Sequence, residues 1–533
     1  MRKQTKLVAV LSAAALLAMG ASMTSFAAGW QKDDAGVWHY YDSDDNQVTD
    51  EWKKDGGKWF YLDEDGEMLT DAWVDDDYYV GEDGAMLVNQ WIKTSSDDDQ
   101  DDPDDDGEHW YYFNNKGKKI TDDKKKINGK TYYFNTDGEM QYGWYADGED
   151  WYYLGSEDEG WRTDAKWLWL AEPNEDDEDN DSMPSHDDDC DLCDSEGWYY
   201  FQNDGKAYKD SAKKKKINGK YYYFNEHGQM LYEWINTKEK TATGSTTDFV
   251  LDGDRAGASA SDMIYANEVE DGSRGNGWYQ IDGAEDLDAD GDTDWYYIDD
   301  GEVKYADGGS KDFATYDDDG AVYVQRIKIE GKYFSFNEKG QMQDGLQYCQ
   351  ADGGFYYFDA NGYQKTGRVT SVENDDDDYT FYFNTKNGKN GLGYNGLKDD
   401  YLYFNGKRLE ADDDYKFYVV DGSIYLVNTK GKIQKATNSK KYDDIENGAY
   451  VGKDVHVTTN KKGIVSSVQV GNAAATRSED LLTDLATDIN ATGFDAKSYE
   501  NANDNKVAVP FIDLYDSSDV YTYTGSDYAE GWR

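Results

Sequence analysis

The fold is decided by a short stretch of sequence, KTYYFNTDGEM at residues 130–140. Aromatic residues lead into a polar turn that ends in glycine, and a methionine follows the turn. Aromatic and β-prone residues beside a glycine-containing turn are typical of a β-hairpin. Closely similar stretches occur at residues 58–68, 220–230 and 332–342. The sequence therefore predicts one hairpin unit that is used many times.

A tryptophan opens the next unit at a nearly constant distance after the methionine. Met68 is followed by Trp73, and Met86 is followed by Trp91. The unit spans about 20 residues, which lies in the range of repeat proteins. An isolated hairpin cannot bury a core of its own, whereas stacked hairpins bury each aromatic face on the next. We therefore expect an all-β fold in which tandem β-hairpin repeats form a β-solenoid.

Changes in composition divide the chain into four predicted segments. Residues 1–27 have a basic start, an apolar run and small residues at the end, which is typical of a signal peptide. Residues 28–310 carry tryptophan-containing repeats with acidic insertions, and residues 311–437 carry degenerate repeats without tryptophan. Residues 438–533 are predicted to form a small α+β module of unknown role. The apolar run is shorter than the about 20 residues that span a bilayer, so we expect a secreted protein without membrane insertion.

The composition limits the possible partners. Hydrophobic residues make up 38% of the chain and aromatic residues 15%, with 47 Tyr and 17 Trp, so rings must supply much of the core. The formal net charge is -57. Such a surface repels nucleic acid and anionic lipid at long range, which argues against both as partners. The specific ligand is therefore expected to be neutral, cationic or locally cationic. The alternative for the acidity is that it serves solubility alone.

These units resemble the cell-wall-binding repeats of Gram-positive surface proteins, known as choline-binding repeats and, in close variants, as glucan-binding repeats. The resemblance covers residues 29–435. It implies a superhelix of hairpins with ligand sites between consecutive repeats. In such a site, choline is surrounded by the tryptophan that opens a repeat, the first aromatic residue of its hairpin, and an aromatic residue of the next repeat.

Carried over by position, the resemblance places choline or glycan cages at five junctions. The implied pairs are Trp30 with Trp38, Trp52 with Trp59, Trp73 with Tyr78, Trp91 with Trp110, and Trp144 with Trp151, and the implied third walls are Tyr61, Tyr112 and Tyr133. A trimethylammonium group binds over electron-rich ring faces, best over tryptophan. The alternative for each ring is a role in packing alone.

Residues 286–294 alternate aspartate with other residues and have glycine in the sixth position, as at the start of an EF-hand calcium loop. Asp286, Asp288 and Asp290 are therefore possible calcium ligands. Tyr297 stands where the final glutamate ligand would be, and no helix is predicted on either side, so an ordinary acidic loop is the alternative. No other cofactor is predicted. The CxxC motif ending at Cys193 lacks the second pair of a structural zinc site, which favours a local disulfide.

No enzyme is predicted. The chain has five His, and it lacks the nucleophile, phosphate-loop and zinc-protease motifs. Three functions remain: a surface protein that binds choline on teichoic acid, a protein that binds α-glucan or another polysaccharide, and a structural adhesin stalk. Tryptophan at the junctions favours the first in the N-terminal half. The NGKxYYF units at residues 128–134 and 218–224 are also found in glucan-binding repeats and favour polysaccharide binding. In the C-terminal half, the absence of tryptophan between Trp295 and Trp532 favours a structural stalk.

Overall fold

A computed structural model describes most of the chain. The described residues are 29–95, 107–173, 183–184, 193–211, 213–237, 258–289, 291, 293–307, 313–317, 320–349, 352, 354–374, 377–386, 390–420, 422–448, 450–485, 496–500 and 506–510. The predicted signal peptide lies outside these residues. Within them, two compact units are present. The first comprises described residues within 1–167, 173–186 and 201–207, and the second comprises those within 168–172, 187–200 and 208–533.

Antiparallel hairpins follow one another along the N-terminal part of the chain. Their strands are β1 (Gly29–Lys32), β2 (Trp38–Tyr41), β3 (Glu51–Asp55), β4 (Lys58–Leu62), β5 (Ala72–Val74), β6 (Tyr78–Val80), β7 (Gln90–Thr94), β8 (His109–Phe113), β9 (Asp123–Ile127), β10 (Lys130–Phe134), β11 (Trp144–Asp147), β12 (Asp150–Tyr153), β13 (Lys166–Ala171) and β14 (Glu196–Phe201). Each odd-numbered strand pairs with the even-numbered strand that follows it.

Hairpins also build the second unit, where some of them join into larger sheets. The strands that follow are β15 (Lys215–Ile217), β16 (Lys220–Phe224), β17 (Met230–Leu231), β18 (Glu233–Asn236), β19 (Met263–Ala266), β20 (Gly277–Asp282), β21 (Thr293–Asp299), β22 (Glu302–Val303), β23 (Phe313–Asp317), β24 (Gly320–Ile329), β25 (Lys332–Asn337), β26 (Met342–Gln343), β27 (Gly345–Cys349), β28 (Gly354–Phe358), β29 (Gly367–Asn374), β30 (Asp377–Phe383), β31 (Gly396–Lys398), β32 (Tyr401–Phe404), β33 (Lys407–Arg408), β34 (Tyr415–Val420) and β35 (Ser423–Asn428). The sheet orders are β15-β16-β17, β18-β19-β22-β21-β20, β26-β25-β24-β23-β27-β28, β29-β30-β33-β32-β31 and β34-β35.

The C-terminal part mixes strands with a helix. Its elements are β36 (Lys440–Tyr442), β37 (Val455–Thr459), β38 (Val465–Val470), β39 (Thr476–Arg477), α1 (Ser478–Leu485), β40 (Ala496–Glu500) and β41 (Lys506–Pro510). Two short 3₁₀ helices, Ala260–Asp262 and Glu285–Leu287, lie earlier in the chain. Phe417 and Leu426 of the preceding hairpin share a core with Val455, Val468 and Leu481. None of the helices in the described ranges is long and apolar enough to cross a membrane.

Turn chemistry explains why the chain reverses where it does. The tip of the β9–β10 hairpin is formed by Asn128 and Gly129, which have φ angles of 49° and 87°. Positive φ at both central residues is required by the two-residue turn whose twist matches a hairpin, and Asn-Gly is the favoured pair for it. Asn218 and Gly219 repeat the arrangement between β15 and β16, with φ angles of 49° and 91°.

Successive hairpins of the first unit are joined by a repeating backbone hydrogen bond. The N–H group of Met140 donates to the carbonyl oxygen of Trp110 in the preceding hairpin, at 2.8 Å. We call the donor the junction residue. The equivalent bonds, each also 2.8 Å, run from Met68 to Trp38, from Met86 to Trp59, from Lys119 to Asp77 and from Ala207 to Trp151. The prediction of an all-β fold built from stacked hairpin repeats is therefore confirmed.

Aromatic rings form the core of the hairpins, as the composition predicts. Tyr111 and Phe113 are fully buried in the first unit, and Phe224, Phe336 and Phe381 are buried in the second. A turn glycine covers each junction methionine. A Cβ atom on Gly117 would lie 2.4 Å from the Cε atom of Met86, and Gly117 has a φ angle of 83°, so the backbone conformation and the close stacking of hairpins both favour glycine there.

Candidate ligand cages between hairpins

The most complete cage surrounds Trp91 on β7. Tyr112 lies directly opposite on β8, and the two ring centroids are 5.0 Å apart. Trp110 lies on the same face of β8, with its centroid at 6.4 Å and its ring nearly perpendicular to that of Trp91. The next hairpin contributes Tyr132 at 4.9 Å. Four electron-rich rings from two consecutive hairpins therefore meet at this junction.

The cage has a buried base and an open rim. Trp91, Trp110, Tyr112 and Tyr132 are half-buried and pack on the buried side chains of Ile120, Ile127, Phe134 and Met140. Burial raises the pKa of Tyr132, so its phenol stays neutral. On the rim, the indole N–H group of Trp110 donates to the carboxylate of Asp158, at 3.4 Å. Such a rim favours a cation over an anion.

A second complete cage surrounds Trp278 on β20, in the second unit. The centroid of Trp278 lies 5.1 Å from that of Tyr297, 6.4 Å from that of Trp295 and 4.6 Å from that of Phe334. Phe336 is stacked at 5.9 Å, and Met342 packs against the same cluster. These distances repeat those around Trp91. None of these rings was predicted as a cage wall. Trp278 and the Trp295–Tyr297 stretch nevertheless have the same pattern of aromatic residues as Trp91 and the Trp110–Tyr112 stretch.

Two of the five predicted pairs are in ring contact in the described part of the chain. These are Trp91 with Trp110, and Trp144 with Trp151, whose centroids are 6.2 Å apart. Trp144 also contacts Tyr153 at 5.6 Å and Phe201 of the following hairpin at 5.9 Å. Because Trp144 and Trp151 are both buried, this junction presents less ring surface than the one at Trp91.

The first two junctions bring together different rings from those predicted. Trp30 packs against Tyr40 of its own hairpin and Phe60 of the next, at 5.3 Å in both cases. Trp52 packs against Tyr61 at 5.2 Å and Tyr78 at 5.6 Å. The predicted partners Trp38 and Trp59 lie instead beneath the ammonium groups of Lys32 and Lys54, at 5.5 and 5.4 Å from the ring centroids.

Two of the three predicted third walls contact an opening tryptophan, and the third is buried among other rings. Tyr61 and Tyr112 contact the opening tryptophans of their own hairpins, Trp52 and Trp91. Tyr133 is buried among Tyr145 and Tyr152, at 4.7 and 5.7 Å. Its neighbour Tyr132 faces Trp91 in its place, since adjacent residues of a strand point to opposite sides.

The third junction is built differently. Trp73 is buried and contacts Tyr79 at 5.3 Å and Tyr111 of the next hairpin at 4.9 Å. Its indole N–H group donates to the carbonyl oxygen of Ser95 at 2.8 Å. The predicted partner Tyr78 lies opposite Val74 and packs against Trp52.

The predicted calcium ligands lie in the loop between β20 and β21. Asp286 belongs to the short 3₁₀ helix, and Asp288 ends it with a φ angle of 51°. Asp290 lies outside the described residues. Among the residues that the structure does describe, no group of three or more metal-ligating side chains is close enough to hold an ion. Cys193 forms a disulfide, and the other cysteine of the CxxC motif, Cys190, is also outside the described residues.

The fold and these clusters define a class of protein: a tandem β-hairpin repeat protein with aromatic cages at its hairpin junctions. Family models match several of these repeats at the level of sequence. Models of choline-binding repeats match residues 46–85 and 123–164. A model of the cell wall binding repeat matches residues 28–44, 105–119, 192–207 and 215–230. The matched segments thus carry choline-binding and cell wall binding repeats.

Several solved structures of similar proteins come from Streptococcus pneumoniae. The modular autolysin LytC is 20% identical with a TM-score of 0.33, and the match covers 60% of this chain and 52% of LytC, so the chain spans about half of that protein's length. CbpJ is 18% identical with a TM-score of 0.32, over 63% of this chain and all of CbpJ. Choline binding protein F is 19% identical with a TM-score of 0.24, over 72% of this chain and all of that protein. A search of curated proteins gave no match.

Proposed function

We propose that the protein is a non-enzymatic, secreted surface protein that binds the choline groups of teichoic acid. The observation that carries the proposal is the pair of matching cages around Trp91 and Trp278. Each cage combines an opening tryptophan, a cross-strand tyrosine, a second tryptophan and an aromatic residue of the next hairpin.

The chemistry of the cages fits a quaternary ammonium ion. Its charge is attracted to the ring faces, and its methyl groups fill an apolar space without leaving a hydrogen-bond donor unpaired. Each desolvated cation–π contact contributes up to about 2 kcal/mol. The carboxylates of Glu157 and Asp158 lie beside Lys93 at this junction, at 2.7 and 3.8 Å from its ammonium group, and they keep the rim from becoming net positive.

Repetition would strengthen the binding. A polymer that presents choline at many positions can engage several cages of one chain, and each further contact is intramolecular. Anionic groups of the polymer would be repelled at long range by the net charge of -57, a repulsion that salt screens. Weak retention in dilute buffer and stronger retention at physiological salt are therefore expected on choline-bearing cell walls.

The proposed ligand can be tested on an amine resin. The protein is expected to bind a resin that bears tertiary amines and to elute when choline is added at millimolar concentration, because the resin cation imitates trimethylammonium. The variant Trp91→Ala/Trp278→Ala should pass through with little retention. Elution by soluble α-glucan but not by choline would contradict the proposal and favour the polysaccharide-binding alternative. If the double variant is retained as strongly as the wild type, net charge and not the cages holds the protein on the resin.

Calcium binding by Asp286, Asp288 and Asp290 remains a separate proposal. A bound ion stabilises the folded state by mass action, so added calcium is expected to raise the Tm, and Asp288→Ala should abolish that rise. Asp34→Ala, which removes an exposed carboxylate elsewhere, serves as the control for charge. An equal rise in the Asp288→Ala variant would mean that the acidic surface as a whole takes up the ion.

A further inference from the structure

The junction at Trp73 has the ring arrangement of a cage but a different junction residue. Trp73 lies 4.9 Å from Tyr111 of the next hairpin and 5.7 Å from Phe113. The corresponding distances at the Trp91 cage, to Tyr132 and Phe134, are 4.9 and 5.7 Å. At the Trp91 cage the junction residue is Met140, whereas at the Trp73 junction it is Lys119.

The Lys119 side chain runs inward, against these rings. Only 5% of it is exposed, although lysine is rarely buried without a partner. Its ammonium group lies 5.0 Å from the ring centroid of Trp73 and 5.8 Å from that of Tyr111. The carboxylate of Asp76 accepts a hydrogen bond from the same ammonium group at 2.7 Å. The cation is therefore held by two aromatic rings and one counterion, all of them supplied by the chain.

A second difference accompanies the lysine. The junction residue donates its N–H group to a tryptophan carbonyl at four junctions, those of Met68, Met86, Met140 and Ala207. That tryptophan is the second wall of the cage at the Met140 junction. At the Lys119 junction the acceptor is the carbonyl of Asp77, so an acidic residue takes the position of the wall. The buried ammonium group and the loss of the second tryptophan wall occur at the same junction. This is expected if the junction has no external ligand to enclose.

We propose that Lys119 is the resident cation of the Trp73 junction. Its ammonium group takes the place that an external quaternary ammonium ion has at the Trp91 cage, which closes this repeat to ligand and makes the junction residue the determinant of which repeats bind. The identity of the external ligand rests on the proposed function. The occupancy of the rings by Lys119 is independent of that function.

The same determinant extends to arginine. Arg162 and Arg274 are also junction residues, donating their N–H groups to the carbonyl oxygens of Thr131 and Tyr221. Their guanidinium groups lie over Tyr152 and Tyr223, at 5.9 and 5.8 Å from the ring centroids. Lysine or arginine at the junction position thus marks a closed repeat, whereas methionine at the Trp91 cage leaves the rings open to a ligand.

Occupancy by Lys119 is tested by NMR of the full chain labelled on lysine. A side chain above two ring faces is shielded by them, so the ε-methylene protons of Lys119 are expected upfield of the other lysine signals. The signal is assigned by its absence in Lys119→Arg. It should stay in place when choline is added. An ε-methylene signal at the ordinary position, or one that choline displaces, would overturn the proposal whatever the protein binds.

Closure by the junction residue is tested by transferring the lysine. In Met140→Lys, the new ammonium group is placed to reach Trp91 and Tyr132, and titration calorimetry with choline should show one site fewer than in the wild type. Met140→Leu, which keeps an apolar junction residue, should retain all sites, and thermal melts establish that both variants are folded. A folded Met140→Lys variant with the wild-type number of sites would overturn the proposal. Absence of choline binding in the wild type would refute the proposed function, and the NMR experiment would still decide the role of Lys119.

Discussion

Replacing Trp91 by alanine is expected to weaken choline binding strongly at one cage and to leave the remaining cages intact. The ring of Trp91 is the one that contacts all the others at this junction, at 4.9 to 6.4 Å. Loss of a cation–π contact of about 2 kcal/mol weakens that site roughly 30-fold, since each 1.4 kcal/mol is a factor of ten. Titration calorimetry should therefore count one strong site fewer.

The matched control for this variant is Val88→Ala. Val88 is exposed and lies three residues before Trp91, so it tests for general damage to the same hairpin without touching the cage. Both variants should melt within a few degrees of the wild type, because Trp91 is half-buried and its neighbours keep their own partners. An unchanged number of choline sites in Trp91→Ala would refute the assignment of this cage.

Tyr133→Ala is expected to have the opposite profile, a large loss of stability without loss of a cage. Tyr133 is 4% exposed and packs against Tyr145 and Tyr152. Truncation of a buried aromatic ring typically costs about 3–5 kcal/mol. Chemical denaturation should show this loss in the first unit, while choline titration at low temperature should give the wild-type number of sites.

Tyr142→Ala provides the comparison for that variant. It removes the same ring from the same repeat at a position that is 48% exposed, and substitutions at exposed positions usually change stability by about 0.5 kcal/mol or less. Equal losses for the two variants would mean that Tyr133 is not part of a packed core. Loss of a choline site in Tyr133→Ala, at full stability, would assign it to a cage after all.

The sequence predicted the hairpins well because they depend on local chemistry. The turn at Asn128 and Gly129 and the run of aromatic residues in β10 can be predicted from a few neighbouring residues. The choice between Tyr132 and Tyr133 as the wall next to Trp91 could not be predicted in that way. It depends on the register between hairpins, and a shift of one residue moves a side chain to the other face of a strand.

The cage around Trp278 was missed for a different reason. The acidic segment between β20 and β21, which contains a 3₁₀ helix, was interpreted as a possible calcium loop, and the aromatic residues on either side of it were not assigned to a cage. The cross-strand register nevertheless returns Tyr297 to a position opposite Trp278. A search for paired aromatic motifs that tolerates long hairpin loops would have found it.

The role of Lys119 required three-dimensional contacts. In the sequence, Lys119 lies 46 residues after Trp73 and 43 after Asp76 and follows another lysine, Lys118, in a polar stretch. Nothing local distinguishes the two. In the structure, Lys118 is half exposed and pairs with Asp77, whereas Lys119 is buried against rings. The difference arises from strand alternation together with the N–H bond that fixes the junction residue.

The hydrogen bond between consecutive hairpins also allows the chain to assemble from its N-terminus as it is synthesised. Each junction residue donates backward, to a carbonyl group that was synthesised earlier. A newly completed hairpin therefore finds its acceptor already in place, and closing the contact needs a chain of only a few tens of residues, which favours rapid folding. The array can grow from its N-terminus one hairpin at a time, with every finished unit serving as the template for the next.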